Sequence, residues 1–219
     1  MRSPDIMKLR PLFILMLFVA SAAALGWVYY AATHGHPERH ASPWVETLGD
    51  LGACGRRKHV KSIRYEHFAA IADREQRNDL SLLFRALAQA ERVQESNCAN
   101  AIERLGGHYI PPGRVVVFRG TAAGNLERSI AYERQSLRDI GDAEIRRALT
   151  RGNRYAARVL TWNLAGDLRQ VLLMERCHDD RSPGGYLVCP RCGNIYVLEA
   201  SDPFCPCCMT ERPRFIRFE

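Results

Sequence analysis

The polar and apolar positions of the chain form one continuous apolar run near the N terminus and four later stretches with helical periodicity. In those four stretches, apolar residues recur at intervals of three and four, so they line one face of an α-helix. The stretches begin near residues 43, 78, 121 and 152. A longer connection, with a β-like segment at 115–118, joins the second stretch to the third. The pattern predicts a mainly α-helical protein whose principal domain, residues 43–180, is a four-helix bundle with one extended crossover.

The N-terminal apolar run, residues 11–32, contains no charged residue and follows a short basic segment. About 20 apolar residues are enough to cross a bilayer as a helix. Residues 1–32 therefore predict a transmembrane signal anchor, and residues 33–42 a polar linker. Because basic flanks stay in the cytoplasm, the main domain is expected on the outer, periplasmic or extracytoplasmic, side. A cleaved signal peptide, with small residues at 20–22, is the alternative and would give a secreted protein.

Two Cys-x-x-Cys motifs near the C terminus are the strongest chemical signal in the chain. They are formed by Cys189 with Cys192 and by Cys205 with Cys208, and twelve residues separate them. Four thiolates in this arrangement predict one closed tetrahedral metal site, whereas two disulfides are the weaker interpretation. The spacing does not choose between iron and zinc.

The other cysteines and the net charge suggest no further site. The chain carries a formal net charge of +7, but no basic run is interleaved with aromatic residues, so nucleic acid is not expected as a partner. Cys54, Cys98, Cys177 and Cys207 remain outside the metal motifs. A disulfide between Cys54 and Cys177 is one open pairing, and Cys98 fits a small core position.

Polar residues interrupt the apolar faces of three helices. On the second helix, Glu91 and Gln94 occupy positions where the Leu83–Leu87 stripe should continue, and Glu133 interrupts the third helix. On the fourth helix, Asp167 and Gln170 repeat the acid–amide spacing of the second. A buried carboxylate must be paired, protonated or bound to metal. The remaining face of the fourth helix predicts a stripe of core residues: Val159, Leu160, Leu164, Leu168, Val171 and Leu172.

Several segments together resemble a known family. They are Tyr65–Glu75, Leu105–Gly107, Asn125–Leu126 ahead of the third-helix acid, the two cysteine motifs, and Phe215–Glu219. They resemble the rubrerythrin family, in which a ferritin-like four-helix bundle precedes a rubredoxin-like module that binds iron through four cysteines. The resemblance covers about residues 50–219. It implies a ferritin-like bundle, a small β rubredoxin-like domain at 185–219, and a homodimer.

The family's di-iron positions are largely replaced in this chain. The resemblance places them at seven residues: Lys58, Glu91, Gln94, Glu133, Ser136, Asp167 and Gln170. Both histidines of the family pattern are missing, and an ammonium group would repel a dication. The sequence therefore predicts a degenerate site without the di-iron centre. Our hypothesis is that Lys58 replaces the lost metal charge and pairs with the acids, while the two glutamines complete hydrogen bonds.

Three functions follow from these expectations. The first is a membrane-anchored iron protein that transfers single electrons through a rubredoxin-type tetrathiolate iron to a redox partner protein. The second is a zinc-stapled, membrane-attached scaffold or binding protein without redox activity. The third is a di-iron peroxidase of the rubrerythrin type, which the replaced ligands disfavour.

Overall fold

The computed structural model describes residues 16, 19–30, 43–179, 181–200 and 202–219. It divides into two compact units, residues 1–43 and Trp44–Glu219. In the first unit, residues 19–30 are helical and exposed. Among the described residues, we find no helix with the length and apolarity that a bilayer crossing requires. The rest of the predicted anchor and the whole linker at 33–42 lie outside the described residues.

The second unit is mainly helical and ends in a small sheet, as the sequence predicted for the fold class. Its helices are α1 (Val45–Arg74), α2 (Asn78–Arg104), α3 (Ala122–Asp139), α4 (Ala143–Thr150) and α5 (Arg154–His178). The short helix α4 was not expected. It buries Glu144 and Ala148 and packs against α1 and α5, where the Arg57 guanidinium of α1 donates to Glu144 at 2.9 Å.

Local sequence signals account for several helix ends. Thr121 caps α3, because its side-chain oxygen accepts a hydrogen bond from the Gly124 amide at 3.1 Å. Asn153 caps α5 in the same way through the Ala156 amide at 3.0 Å. Helix α2 ends just before Gly106, whose φ of 79° is the left-handed conformation that closes many helices.

The bundle core is built from the stripes that the periodicity predicted on α1 and α2. Leu80, Leu83, Phe84 and Leu87 of α2 are fully buried, and the Phe68 ring of α1 packs edge-on against Phe84 at 5.5 Å. Such an edge-to-face pair adds about 1 kcal/mol to the free energy of burial. The two helices therefore carry the largest part of the core.

The predicted core face of α5 is wrong at two positions. Leu168 is 51% exposed and Leu172 is 66% exposed. The buried face of α5 instead includes Gln170, Val171 and Met174. Leu168 and Leu172 are four residues apart, so they lie on the same, solvent-exposed side of the helix. The fully buried Gln170 lies on the buried face, at one of the positions that the family resemblance assigns to the di-iron site.

The predicted β-like segment at 115–118 forms no strand. Its backbone has no neighbouring strand, and the Val116 carbonyl accepts a hydrogen bond from the Arg64 side chain at 3.2 Å instead. The Phe118 ring lies between two guanidinium groups, 4.7 Å from Arg64 and 5.2 Å from Arg128. These contacts hold the crossover against α1 and α3 without a sheet.

The C-terminal sheet contains three short antiparallel strands, β1 (Tyr186–Val188), β2 (Ile195–Val197) and β3 (Ile216–Phe218). Strand β1 lies in the centre, with Val188 opposite Ile195 on one side and Ile216 on the other. Side chains alternate between the two faces. Tyr186 and Val188 accordingly join the bundle core, while Leu187 packs with the cysteine motifs.

The first cysteine turn is docked on α2 by an unusually close contact. Gly193 adopts a φ of 72°, and a Cβ atom added there would lie 2.7 Å from the Ala90 carbonyl oxygen and 2.6 Å from Cγ of Gln94. The Gln94 amide nitrogen donates to the Gly193 carbonyl at 3.2 Å. Only glycine allows both the left-handed turn and this approach of the cysteine module to the bundle.

We predict that Gly193→Ala destabilises the protein more than Gly152→Ala does. Gly152 has a similar φ of 75°, but a Cβ there would meet nothing within 4 Å, so its substitution carries only the backbone cost of about 1–2 kcal/mol. Gly193→Ala adds a clash with the α2 backbone, and urea unfolding should show a clearly larger loss of unfolding free energy. Equal losses for the two variants would contradict the docking contact.

Candidate metal centre

Two turns at the edge of the sheet bring the four predicted cysteines together. The sulfurs of Cys189, Cys192, Cys205 and Cys208 all lie within 4.8 Å of one another. Two of the separations, Cys189 to Cys208 and Cys192 to Cys205, are 3.5 Å. A tetrahedral site with metal–sulfur bonds of about 2.3 Å requires sulfurs about 3.8 Å apart. The cysteine geometry therefore suits a single four-coordinate ion.

Polar groups surround the sulfurs. The Tyr196 hydroxyl lies 3.1 Å from the Cys205 sulfur, and the Thr210 hydroxyl lies 3.2 Å from the Cys208 sulfur. Tyr196 is buried, and the guanidinium of Arg169 stacks over its ring at 4.5 Å. Donors to thiolate sulfur lower the charge on the ligand and hold its orientation. The hydroxyl groups around the sulfurs therefore favour anionic sulfur over disulfides.

Four soft sulfur ligands fit iron or zinc and leave no coordination position for a substrate. Cys189, Cys192 and Cys205 are completely buried, while Cys208 and the neighbouring Cys207 are partly exposed. A metal ion held by these sulfurs would therefore lie close to solvent on the side of Cys208. Such a site can hold a metal firmly, and it can exchange electrons at its exposed edge, but it cannot bind a reactant directly.

A second group of chemically notable residues lies inside the bundle. We call it the charge cluster, and it consists of Lys58, Lys61, Glu91, Glu133 and Asp167. The Lys58 ammonium lies 2.5 Å from Oδ1 of Asp167 and 3.5 Å from Oε2 of Glu91. The Lys61 ammonium lies 2.7 Å from the same Asp167 oxygen, 2.9 Å from Glu133 and 3.1 Å from Glu91.

Two ammonium groups therefore sit among three carboxylates, almost out of contact with water. Lys58 is 1% exposed, Lys61 is 5% exposed, and Glu91 and Glu133 are fully buried. The hypothesis that Lys58 pairs with the acids agrees with these distances. The structure adds Lys61, which the sequence analysis had not singled out, as the cation with the most carboxylate contacts.

Burial and the ammonium groups shift the pKa values of the cluster in opposite directions. Burial raises the pKa of Asp167, but the attraction of Lys58 and Lys61 outweighs it and lowers that pKa to about 2. For Glu91, burial is the largest effect, and its pKa is raised despite the same two lysines. Burial lowers the pKa of Lys61, but the three carboxylates more than reverse this and keep the group charged.

The cluster does not fit a di-iron centre. A bundle di-iron site requires several carboxylates and two imidazoles around the metals. Here Lys58 and Lys61 occupy the space among the only three carboxylates, and their positive charge opposes that of a dication. Within the described residues, no group of three His, Cys, Asp or Glu side chains other than the four cysteines brings its ligand atoms this close together.

The two glutamines do not complete the network as we had expected. Gln94 donates to the Gly193 carbonyl rather than to an acid, and its oxygen has no partner in the described structure. Both polar atoms of Gln170 are also buried there without a hydrogen bond. The hypothesis is wrong on this point because Gln94 is drawn to the docked cysteine turn. Ser136 lies at the edge of a small cavity beside Asp167.

A signal for Lys61 was present in the composition. The chain contains only three lysines, Lys8, Lys58 and Lys61, among 31 basic residues. The last two are three residues apart and so share a face of α1. A lysine ends in a compact point charge on a narrow stem, whereas the broad guanidinium of arginine needs more room. Within residues 44–219, lysine occurs only at these two positions, which fits a confined space between helices.

Tyr65 completes the cluster from the next turn of α1. Its hydroxyl donates to Oε1 of Glu133 at 3.0 Å, and burial followed by the nearby Glu133 raises its pKa well above the usual value. The hydroxyl therefore stays protonated and acts as a hydrogen-bond donor to the carboxylate.

We predict that Lys58→Met lowers the free energy of unfolding by about 3–5 kcal/mol, because it leaves three carboxylates around the single remaining ammonium group of Lys61. The double variant Lys58→Met/Asp167→Asn should lose less than the sum of the two single losses, since the unpaired charge is then removed. Urea unfolding of the four proteins measures the coupling. The exposed pair Arg134–Glu175 supplies the control, and Arg134→Met should cost less than about 1 kcal/mol. Strict additivity would argue against the buried pair.

We also predict a pH dependence that resides in Asp167. Its pKa is lowered from 3.8 to about 2, so its stabilising effect is complete above pH 4 and disappears as the pH falls through 2. The difference in unfolding free energy between wild type and Asp167→Asn should shrink by about 2 kcal/mol between pH 5 and pH 2. A constant difference for Asp167→Asn would contradict the ion pairing.

The fold has relatives among solved structures. Nigerythrin, in its mixed-valence, fully reduced all-ferrous and partially reduced states, superposes with a TM-score of 0.70 in each case. Sequence identities are 24%, 23% and 24%, and each match covers 78% of this chain and 86% of the solved chain. No protein-family model and no curated protein matches the chain. Since nigerythrin is a rubrerythrin-family protein, the second unit has a rubrerythrin-like fold.

Proposed function

We propose that the protein is a rubrerythrin-like iron protein that transfers single electrons through an iron ion held by Cys189, Cys192, Cys205 and Cys208. The observation that carries the proposal is the approach of four sulfurs to within 4.8 Å of one another. When bound, an iron ion in four thiolates supplies a one-electron couple between its ferrous and ferric states. The nigerythrin-like fold supports iron over zinc, because the solved relatives are described as ferrous or mixed-valence.

The protein's own residues favour electron exchange over catalysis at this site. Four ligands close the coordination sphere, so no position is left for a substrate. Partly exposed Cys208 offers an edge at which a redox partner protein can approach. Gly193 and Gln94 hold the first turn against α2, so that the ligands on this turn need little rearrangement when the charge of the site changes.

In this proposal the bundle is a scaffold and not a peroxidase. Its charge cluster takes the place that a second redox centre would need, and Lys58 and Lys61 neutralise the carboxylates there. The bundle then contributes the docking surface for the cysteine module and the body through which a homodimer would form. Both the dimer and the redox partner are expectations from the family resemblance.

The proposal also includes attachment to a membrane. Its support is the uncharged run at 11–32 after a basic segment, with the folded unit on the outer side, or secreted after signal cleavage. Tethering would keep the cysteine module near a membrane-bound redox partner. Fractionation of cells that express the full chain, with and without residues 1–32, tests this part independently of the metal.

We predict about one iron per chain in protein purified without oxygen, with a red ferric spectrum that bleaches on reduction. Cys205→Ser should lose both the metal and the colour, because Cys205 is a buried ligand. Cys207→Ser is the matched control: it alters a cysteine two residues away that is not among the four clustered sulfurs, and it should keep both. Metal analysis and visible absorption provide the measurements.

Other metal contents would overturn the proposal in defined ways. A colourless protein with one zinc per chain would exclude electron transfer at the sulfurs and favour a zinc-stapled scaffold, since the same closed site suits zinc. About three irons per chain with peroxide turnover would restore the di-iron peroxidase.

A further inference from the structure

Two cysteines that do not belong to the metal centre lie together in the bundle. Cys54 of α1 and Cys98 of α2 are both buried, and both are free thiols. The side-chain amide nitrogen of Asn163 on α5 lies 3.2 Å from the Cys54 sulfur and 3.1 Å from the Cys98 sulfur. One donor thus bridges two sulfurs from different helices. The pairing of Cys54 with Cys177 that we considered is wrong for this structure, because Cys177 contacts the Tyr186 hydroxyl instead.

The helix backbones approach closely at this level. A Cβ atom placed on Gly55, next to Cys54, would lie 3.2 Å from Cβ of Cys98. Two cysteines can form a disulfide when their Cα atoms are about 4.4–6.8 Å apart. The glycine removes the side chain that would otherwise hold the helices apart. The close approach of α1 and α2 at Gly55, together with the Asn163 amide that both sulfurs share, places the two thiols on facing turns of the helices.

The surroundings activate one of the two sulfurs. The neighbouring Cys98 thiol has the largest effect on Cys54, and with the positive charges of Lys58 and Arg57 it lowers the Cys54 pKa to about 7. Burial and the carboxylate of Glu144 act in the opposite direction. The neighbouring Cys54 and burial raise the pKa of Cys98. Cys54 is accordingly the nucleophile, and Cys98 the second thiol.

A cavity of about 30 Å³ borders Cys54. Its lining includes Arg57, Asn163 and Asp167. A space of this size holds one or two water-sized molecules. It admits a small neutral oxidant with two oxygen atoms and is too small for a peptide or for a glutathione disulfide. Cys98 does not line the cavity, so an oxidant reaches Cys54 first.

We propose that Cys54 and Cys98 form a redox-active dithiol that hydrogen peroxide converts into a disulfide. The Cys54 thiolate attacks one peroxide oxygen, the O–O bond breaks, and hydroxide leaves and becomes water with a proton. Cys98 then attacks the sulfur of the Cys54 sulfenic acid, a second water leaves, and the S–S bond forms. Overall, two thiols lose two hydrogens and one peroxide gives two waters.

This dithiol is independent of the proposed electron transfer, because it uses neither the four clustered cysteines nor their metal. The two sets of sulfurs belong to different clusters of buried residues: Cys54 and Cys98 pack with Leu51, whereas the metal-binding cysteines pack with Leu187. The dithiol and the metal site can therefore be tested separately in the same protein.

The experiment treats the full chain, metal-loaded as purified, with equimolar hydrogen peroxide and then blocks the remaining thiols under denaturing conditions. Peptide mass analysis should find Cys54 linked to Cys98, with a loss of two hydrogens. Cys98→Ser should instead accumulate a Cys54 sulfenic acid that dimedone traps, and Cys54→Ser should give neither product. Cys177→Ser, at a thiol that is also buried, should behave as wild type.

The rate separates activated from ordinary thiols. A pKa near 7 gives Cys54 at least about ten times more thiolate at pH 7 than an unperturbed cysteine has, and Cys54 borders the cavity whereas Cys177 does not. Cys54 should therefore be oxidised faster than Cys177 in the same sample. Circular dichroism confirms that each serine variant is folded before it is scored. Oxidation of Cys54 no faster than of Cys177, or a dimedone adduct on Cys54 in wild type without any linked peptide, would overturn the proposal. If the metal is lost during the treatment but the peptide that links Cys54 to Cys98 still forms, the result supports the proposal.

Discussion

The structure depends on the pairing of two buried ammonium groups with two buried carboxylates and the partly exposed carboxylate of Asp167. Removing an ion from water costs several kcal/mol, and only close contact with opposite charge offsets that cost. Lys61 meets this condition by touching Glu91, Glu133 and Asp167, which lie on three different helices. Helix α1 is thereby tied to α2, α3 and α5 at one level of the bundle. A bundle with these acids and no cation would carry unpaired negative charge in its core.

The inward-facing side chains of α1 and α2 lie on both sides of this ion-pair level, each set along one face of its helix. On α1, Cys54, Lys58, Lys61 and Tyr65 follow one another at intervals of three and four, so all four point inward. On α2, Glu91, Gln94 and Cys98 do the same. On α1 the central pair, Lys58 and Lys61, is charged and the outer positions hold a thiol and a phenol. On α2, Gln94 lies between Glu91 and Cys98 and reaches away from the acids to the docked cysteine turn. One stripe per helix thus serves the core, the charge cluster and the contact with the C-terminal module.

How far the sequence predicts this structure depends on the range of the interaction. The four long helices and the two cysteine motifs follow from local spacing, and the structure contains both. The short helix α4 and the orientation of Leu168 could not be obtained this way, because they depend on how α5 rotates against its neighbours. Lys61 was missed because an apolar stripe was expected on α1. The scarcity of lysine elsewhere in the chain was the available clue.

A charge cluster in place of an apolar core needs a reason, because well-packed hydrophobic residues are often as stabilising as a buried ion pair. The reason that fits here is register. An apolar stripe tolerates small rotations and shifts of a helix. If α1 rotated by one residue, about 100°, its lysines would lose contact with the carboxylates, and the buried negative charge would no longer be compensated. The cluster therefore fixes the rotation of α1 and α2 to that of α5. The same alignment places Asn163 between Cys54 and Cys98 and sets Gln94 beneath Gly193. The charges in the centre thus hold both sulfur sites in position, and Lys58 also lowers the pKa of Cys54.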